Sequence, residues 1–62
     1  MKIIATDNFA RDYVSDKLIA ENVPDYWADK IAKLLNERYG GEGATHYFKA
    51  IKNHEQPYKF EP

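Results

Sequence analysis

Apolar positions change their period along this chain, and the change marks the elements. Within residues 25–39 they recur as Trp27, Ala28, Ile31, Leu34 and Leu35. That is the i, i+1, i+4, i+7, i+8 spacing of an amphipathic helix. At about 100° per residue the five fall within about 120° of one another. Asp29, Lys33, Asn36 and Glu37 fall opposite. Pro24 stands near the first helical position, where its missing N–H costs little. Asp25 in the first turn suits the positive end of the helix dipole. Arg38 lies in the last turn, and Gly40-Gly41 stops the helix. The pattern predicts a helix over 25–39, with Trp27, Ala28, Ile31, Leu34 and Leu35 as its buried face.

Elsewhere β-forming residues dominate. Lys2–Thr6 reads as a strand ended by the turn pair Asp7-Asn8, and Thr45–Lys52 as another. Residues 9–23 carry two readings. Phe9, Tyr13, Val14 and Leu18 suit a helix over about 10–21 by their near-i, i+4 spacing. Lys17–Glu21 equally reads as a short strand, with Asp7 to Asp16 as a wide loop. The second reading is preferred. The expected fold is α+β: a small β-β-α-β domain, a three-stranded antiparallel-type sheet with one amphipathic helix on one face. The alternative is β-α-α-β. The glycines of Gly40-Gly41-Glu42-Gly43 follow a helix, whereas phosphate loops precede one, so this segment reads as a connector.

Strand alternation makes both faces of this sheet apolar. It puts Ile3 and Ala5 opposite Ile4, Leu18 and Ala20 opposite Ile19, and Phe48 and Ala50 opposite Tyr47 and Ile51. One helix covers one set. The candidates to cover the other are segment 9–15, the tail 54–62 through Tyr58 and Phe60, a second copy, or a foreign partner.

Length and composition narrow the function. Sixty-two residues support one small domain (1–62, core about 2–53), and at this size a core adds only about 3–5 kcal/mol. There is no cysteine, no apolar run near the roughly 20 residues of a membrane span, and no signal-peptide pattern. These features favour a reducing, cytoplasmic setting. Net charge is −1, with three basic and six acidic side chains in residues 1–29 and six and four in 30–62. Duplex nucleic-acid binders are usually clearly basic, so nucleic acid is disfavoured.

Catalytic chemistry has few candidates. Only His46 and His54 accompany Ser15, the single serine, and nothing in the sequence places them together. Asp7, Asp12 and Asp16 are available as paired carboxylates, but three acids in a loop read as solvated turn residues. A metal site needs three or four ligands at suitable spacing, so none is expected, and no cofactor either. A ligand cleft of about 300 Å³ is also hard to fit in so short a chain.

Thr6-Asp7-Asn8-Phe9-x-Arg11-Asp12, Leu18-Ile19-Ala20-Glu21-Asn22-Val23, a helix ending Leu34-Leu35-Asn36, and Tyr47-Phe48-Lys49 before a Tyr58-containing tail occur together here. The combination resembles short uncharacterised proteins encoded in bacterial, phage and prophage genomes. The resemblance implies a cytoplasmic setting and fits a phage or mobile-element origin. It brings no activity, and no functional residue follows from it.

What is left is surface. Tyr26 with Lys30 and Lys33 forms an aromatic-basic strip on the polar side of the helix. Tyr47, Lys49 and Ile51 form a second on the sheet. The expectation is a non-catalytic protein-interaction module, binding a foreign protein or itself. The alternative is a single-stranded nucleic-acid binder using the sheet face.

Overall fold

The computed structural model describes residues 1–41 and 43–61. Its elements follow the order β1 (Lys2–Asp7), β2 (Lys17–Ala20), α1 (Asp25–Tyr39), β3 (His46–Ile51). The open sheet has the order β2-β1-β3, and both outer strands run antiparallel to β1. β2 and β3 are therefore parallel to each other, joined by α1 across the strand between them, which is a split β-α-β unit. Residues 8–16 form turns and irregular backbone, so the β-β-α-β reading holds over β-α-α-β.

β1 carries the core because it is buried on both faces. Ile3 is fully buried on the helix side, and its neighbour Ile4 is 1 % exposed on the other. Val23 N–H donates to the Met1 carbonyl (2.8 Å), and the terminal ammonium donates to the Val23 carbonyl. These bonds carry the β1–β2 pairing to the point where Pro24 starts the helix.

The β1–β2 register contains an irregularity. Ile3 faces Ala20, but Ile4 faces Leu18, so Ile19 is an extra residue. Directly paired residues share a face. Leu18 and Ala20 therefore lie on opposite faces, contrary to the strict alternation expected from the sequence.

The helix differs from expectation in its rotation. Ala28 and Ala32 are its buried residues and pack with Ile3, and Ile31 and Leu35 pack at the margin. Trp27 and Leu34, expected inside, are 53 % and 64 % exposed. The cause is a polar contact. β3 is an outer strand, and the backbone groups of Phe48 point away from β1. The Asn36 side chain supplies their partners: Nδ2 donates to the Phe48 carbonyl (2.8 Å), and Phe48 N–H donates to Oδ1 (2.7 Å). This fork ties α1 to the β3 edge and turns its alanines onto the sheet. Gly40 makes room for it, since a Cβ there would stand 2.9 Å from the Asn36 carbonyl oxygen and 3.0 Å from Oδ1.

The second face is partly covered by the chain itself. Loop 8–16 and the tail are joined by Asp16 N–H to the Tyr58 carbonyl and Tyr58 N–H to Asp16 Oδ2 (both 2.8 Å). Phe60 N–H donates to Ser15 Oγ (2.9 Å), and the Tyr58 hydroxyl donates to the Asp12 carbonyl. Ile4 and Ile51 are the buried residues of this face, where Leu18, Tyr47 and Lys49 stay exposed.

Replacing Asn36 with Ala leaves two backbone groups of Phe48 without partners. The expected loss is about 1–3 kcal/mol in a urea titration. A loss below about 0.5 kcal/mol would mean that water replaces the fork.

Candidate interaction surface

Three features stand outside the core: the 7–16 loop, the outward face of β3, and the flank of α1. In the loop, Asp7 is 6 % exposed, and its carboxylate is held by Arg11. Arg11 N–H donates to Oδ2 (2.6 Å), and Nη2 and Nε donate to Oδ1 (2.7 and 3.2 Å). Closing this short loop puts Ala10 at φ +53°, a left-handed conformation that an L side chain resists. The Arg11 hydrogen bonds hold the Asp7 carboxyl well below the usual carboxylate range, although burial opposes them. The same contacts raise Arg11 above its ordinary value. The guanidinium lies 5.3 Å from the Phe9 ring centre and 5.8 Å from that of Tyr13, an aromatic bracket around the ion pair.

A cleft of about 300 Å³ opens between this loop, the sheet and the tail, lined by Thr6, Asp7, Asp12, Asp16, Lys49 and Tyr58 among others. It gathers the three aspartates singled out in the sequence. Two are already engaged: Asp7 by Arg11, and Asp16 by Tyr58 N–H. Ser15 Oγ accepts from Phe60 N–H, while His46 Nδ1 is 3.1 Å from Thr45 Oγ1 on another element. Among the described residues, no three His, Asp or Glu side chains are grouped to hold a metal ion.

On the sheet, Tyr47 and Lys49 are exposed, but Ile51 is 8 % exposed and belongs to the core. The strip Tyr47-Lys49-Ile51 is thus interrupted at its apolar end. Alternation puts Ile51 on the same face as Tyr47 and Lys49, and it alone of the three is buried there. On the helix, Tyr26 is exposed, and Lys30 Nζ stands 4.9 Å from its ring centre. Lys33 borders a separate groove with Phe48 and Ala50, on the β3 side. The helix and sheet strips do not merge.

One exposed apolar feature is one the sequence pattern assigned to the core. Trp27 and Leu34 point to within about 20° of each other and about 160–180° away from Asn36. Asn36 reaches the β3 edge, so this flank looks across β1 towards β2. The helix lies over β1 and β3 and makes no close approach to β2. Trp27 and Leu34 stand as an exposed apolar wall on this flank, with Ile31 half-buried between them. Tyr26 braces the wall edge-on, its ring 4.9 Å from that of Trp27 at 88°. Ile19 of β2 is also exposed. The alanines Ala28 and Ala32, one turn apart, were the available signal. Small residues mark where a helix approaches its neighbour, and they leave the bulky ones to the side.

No family model matches the chain, nor does any curated protein or solved structure. Among the described residues no helix is long and apolar enough to cross a membrane.

Two outcomes follow for the loop. Asp7 is depressed, so its stabilisation is present above its ordinary value of 3.8 and is lost as pH falls below it. The stability gap between wild type and Asp7→Asn is therefore constant near neutrality and narrows below about pH 4 in urea titrations. Ala10→Gly, a change that destabilises at most positions, is expected to raise stability by up to about 1 kcal/mol by releasing the left-handed strain. A thermal melt reads it.

Proposed function

We propose that this protein is a small non-catalytic interaction module and that its contact surface is the flank of α1 above β2. The observation behind this reading is the exposure of Trp27 and Leu34 on one flank of the helix, two turns apart with the half-buried Ile31 between them. A folded monomer of this mass exposes about 4,100 Å², whereas this chain exposes 4703 Å². The excess suits a thin body, whose Cα atoms span 34 × 27 × 12 Å. Contiguous apolar surface rimmed by polar residues marks contact sites. Aromatic residues such as Trp27 and Tyr26 are the usual anchors of such sites.

Other readings have less behind them. Single-stranded nucleic acid needs an open aromatic-basic platform. Here Tyr47 and Lys49 are exposed, but Ile51 is buried and net charge is −1. Catalysis needs a free nucleophile or acid-base pair in the cleft, where Asp7 and Asp16 are already hydrogen-bonded. The likeness to short phage and prophage proteins fits a cytoplasmic factor that acts through contacts.

Leu34→Glu tests the reading. A contact-surface residue contributes little to folding, so stability should change by no more than about 0.5 kcal/mol, while binding of an apolar fluorescent dye falls. A loss of more than about 2 kcal/mol would identify Leu34 as a core residue and sink the proposal.

A further inference from the structure

The tail leaves β3 through a tight turn. Glu55 N–H donates to the Lys52 carbonyl (3.0 Å), and Lys52 N–H donates to Glu55 Oε1 (3.2 Å). Lys2 Nζ adds a bond to the Glu55 carbonyl (3.2 Å). Beyond this turn, among the described residues, every hydrogen bond of the tail goes to loop 8–16. We propose that residues 56–61 are a strap that opens and closes over this loop while the sheet and helix stay folded, with Tyr58 as its latch. The device is independent of the α1 flank.

Two observations carry it. The strap is held by hydrogen bonds rather than by burial. None of residues 56–61 is buried, and Tyr58 and Phe60 are 48 % and 38 % exposed. The buried apolar residues, Ile3, Ile4, Ala5, Ala28, Ala32 and Ile51, all belong to β1, α1 and β3. A segment with few buried apolar contacts opens at a fraction of the global unfolding free energy. The bonds also converge on one residue. Tyr58 N–H and carbonyl both engage Asp16, and its hydroxyl engages the Asp12 carbonyl. The bond to the Asp16 carboxylate is charge-assisted, which makes it stronger than a neutral one. A closed state of this kind has one point of release.

Release changes what the loop presents. Tyr58 is a wall of the 300 Å³ cleft that also contains Thr6, Asp12 and Lys49. On its other side it borders a groove with Ser15, Leu18 and Pro57. Opening removes a wall from both. It frees the Asp16 carboxylate, the Ser15 hydroxyl and the Asp12 carbonyl together. The closed strap is thus an autoinhibitory contact, an extended segment of the chain filling polar groups that would otherwise face solvent.

Native-state hydrogen exchange of the full chain, read amide by amide by NMR, tests this. The Asp16, Tyr58 and Phe60 amides should share a common protection factor, at least about tenfold below that of the hydrogen-bonded β1 amides. Asp16→Ala removes the partner of Tyr58 N–H, so the informative reporter is Phe60, whose acceptor is Ser15. Its exchange should rise by about tenfold, with β1 unchanged. Ser15→Ala should do the same to the Tyr58 amide. Tyr58→Phe, which removes only the bond to Asp12, should speed the Tyr58 and Phe60 amides together. Unchanged β1 exchange shows in the same spectra that each variant is folded. Exchange of the three amides in step with β1 would overturn the strap, because opening would then require unfolding. A response confined to the amide whose acceptor was removed overturns it too, since the segment would not move as a unit. So does a wild type in which the three amides are unprotected.

Discussion

A single side chain decides how this small sheet is covered. Asn36 offers one donor and one acceptor, and the outward backbone of Phe48 needs one of each. An outer strand otherwise leaves these groups to water or to another chain. Meeting them from the helix fixes the rotation and lateral position of α1 together. The helix is drawn towards β3, Ala28 and Ala32 become its contact with Ile3, and the bulkier Trp27 and Leu34 are carried round to the other side. The β3 edge is capped at its middle by the helix, while β2 takes no contact from it. Closure on one side of the sheet and openness on the other thus have one cause.

Most of the fold was legible in the sequence because periodicity reports elements well. The helix bounds 25–39 and the β-β-α-β order emerged from apolar spacing, Pro24 and the glycines. Helix rotation was not legible in the same way. Five apolar positions spread over about 120° do not say which edge of that arc meets the sheet. Asn36, read as a solvent-facing residue, supplied the answer through a partner twelve positions away. The Ile3/Ile4 register shift was hidden for a related reason: alternation presumes an unbroken ladder, and one extra residue reverses every later face.

The second face was a matter of competing covers, and the chain uses two of its own segments. Loop 8–16 is pinned at one end by Asp7 and Arg11, and along its length by the tail through Asp12, Ser15 and Asp16. Two of the three loop aspartates have their carboxylates in hydrogen bonds, Asp7 with Arg11 and Asp16 with Tyr58. Their oxygens hold backbone N–H groups in a region without regular secondary structure, which is the usual work of Asp and Ser in turns. Among the described residues the flank of α1 has no such cover, and this contrast singles it out.

The strand order also has a consequence for how the chain finds its shape. The central strand is β1, and its neighbours come from distant parts of the sequence: Ile4 pairs with Leu18 on one side and Lys2 with Ile51 on the other. Neither ladder is a tight hairpin, and the outer one spans nearly the whole chain. Contacts of such long sequence separation require loop closure before they are rewarded, so folding belongs to the slower range for a domain this small. Until residues near Ile51 arrive, the apolar run Ile3-Ile4-Ala5 has an open edge. During that interval the chain is most exposed to mispairing with other copies of itself.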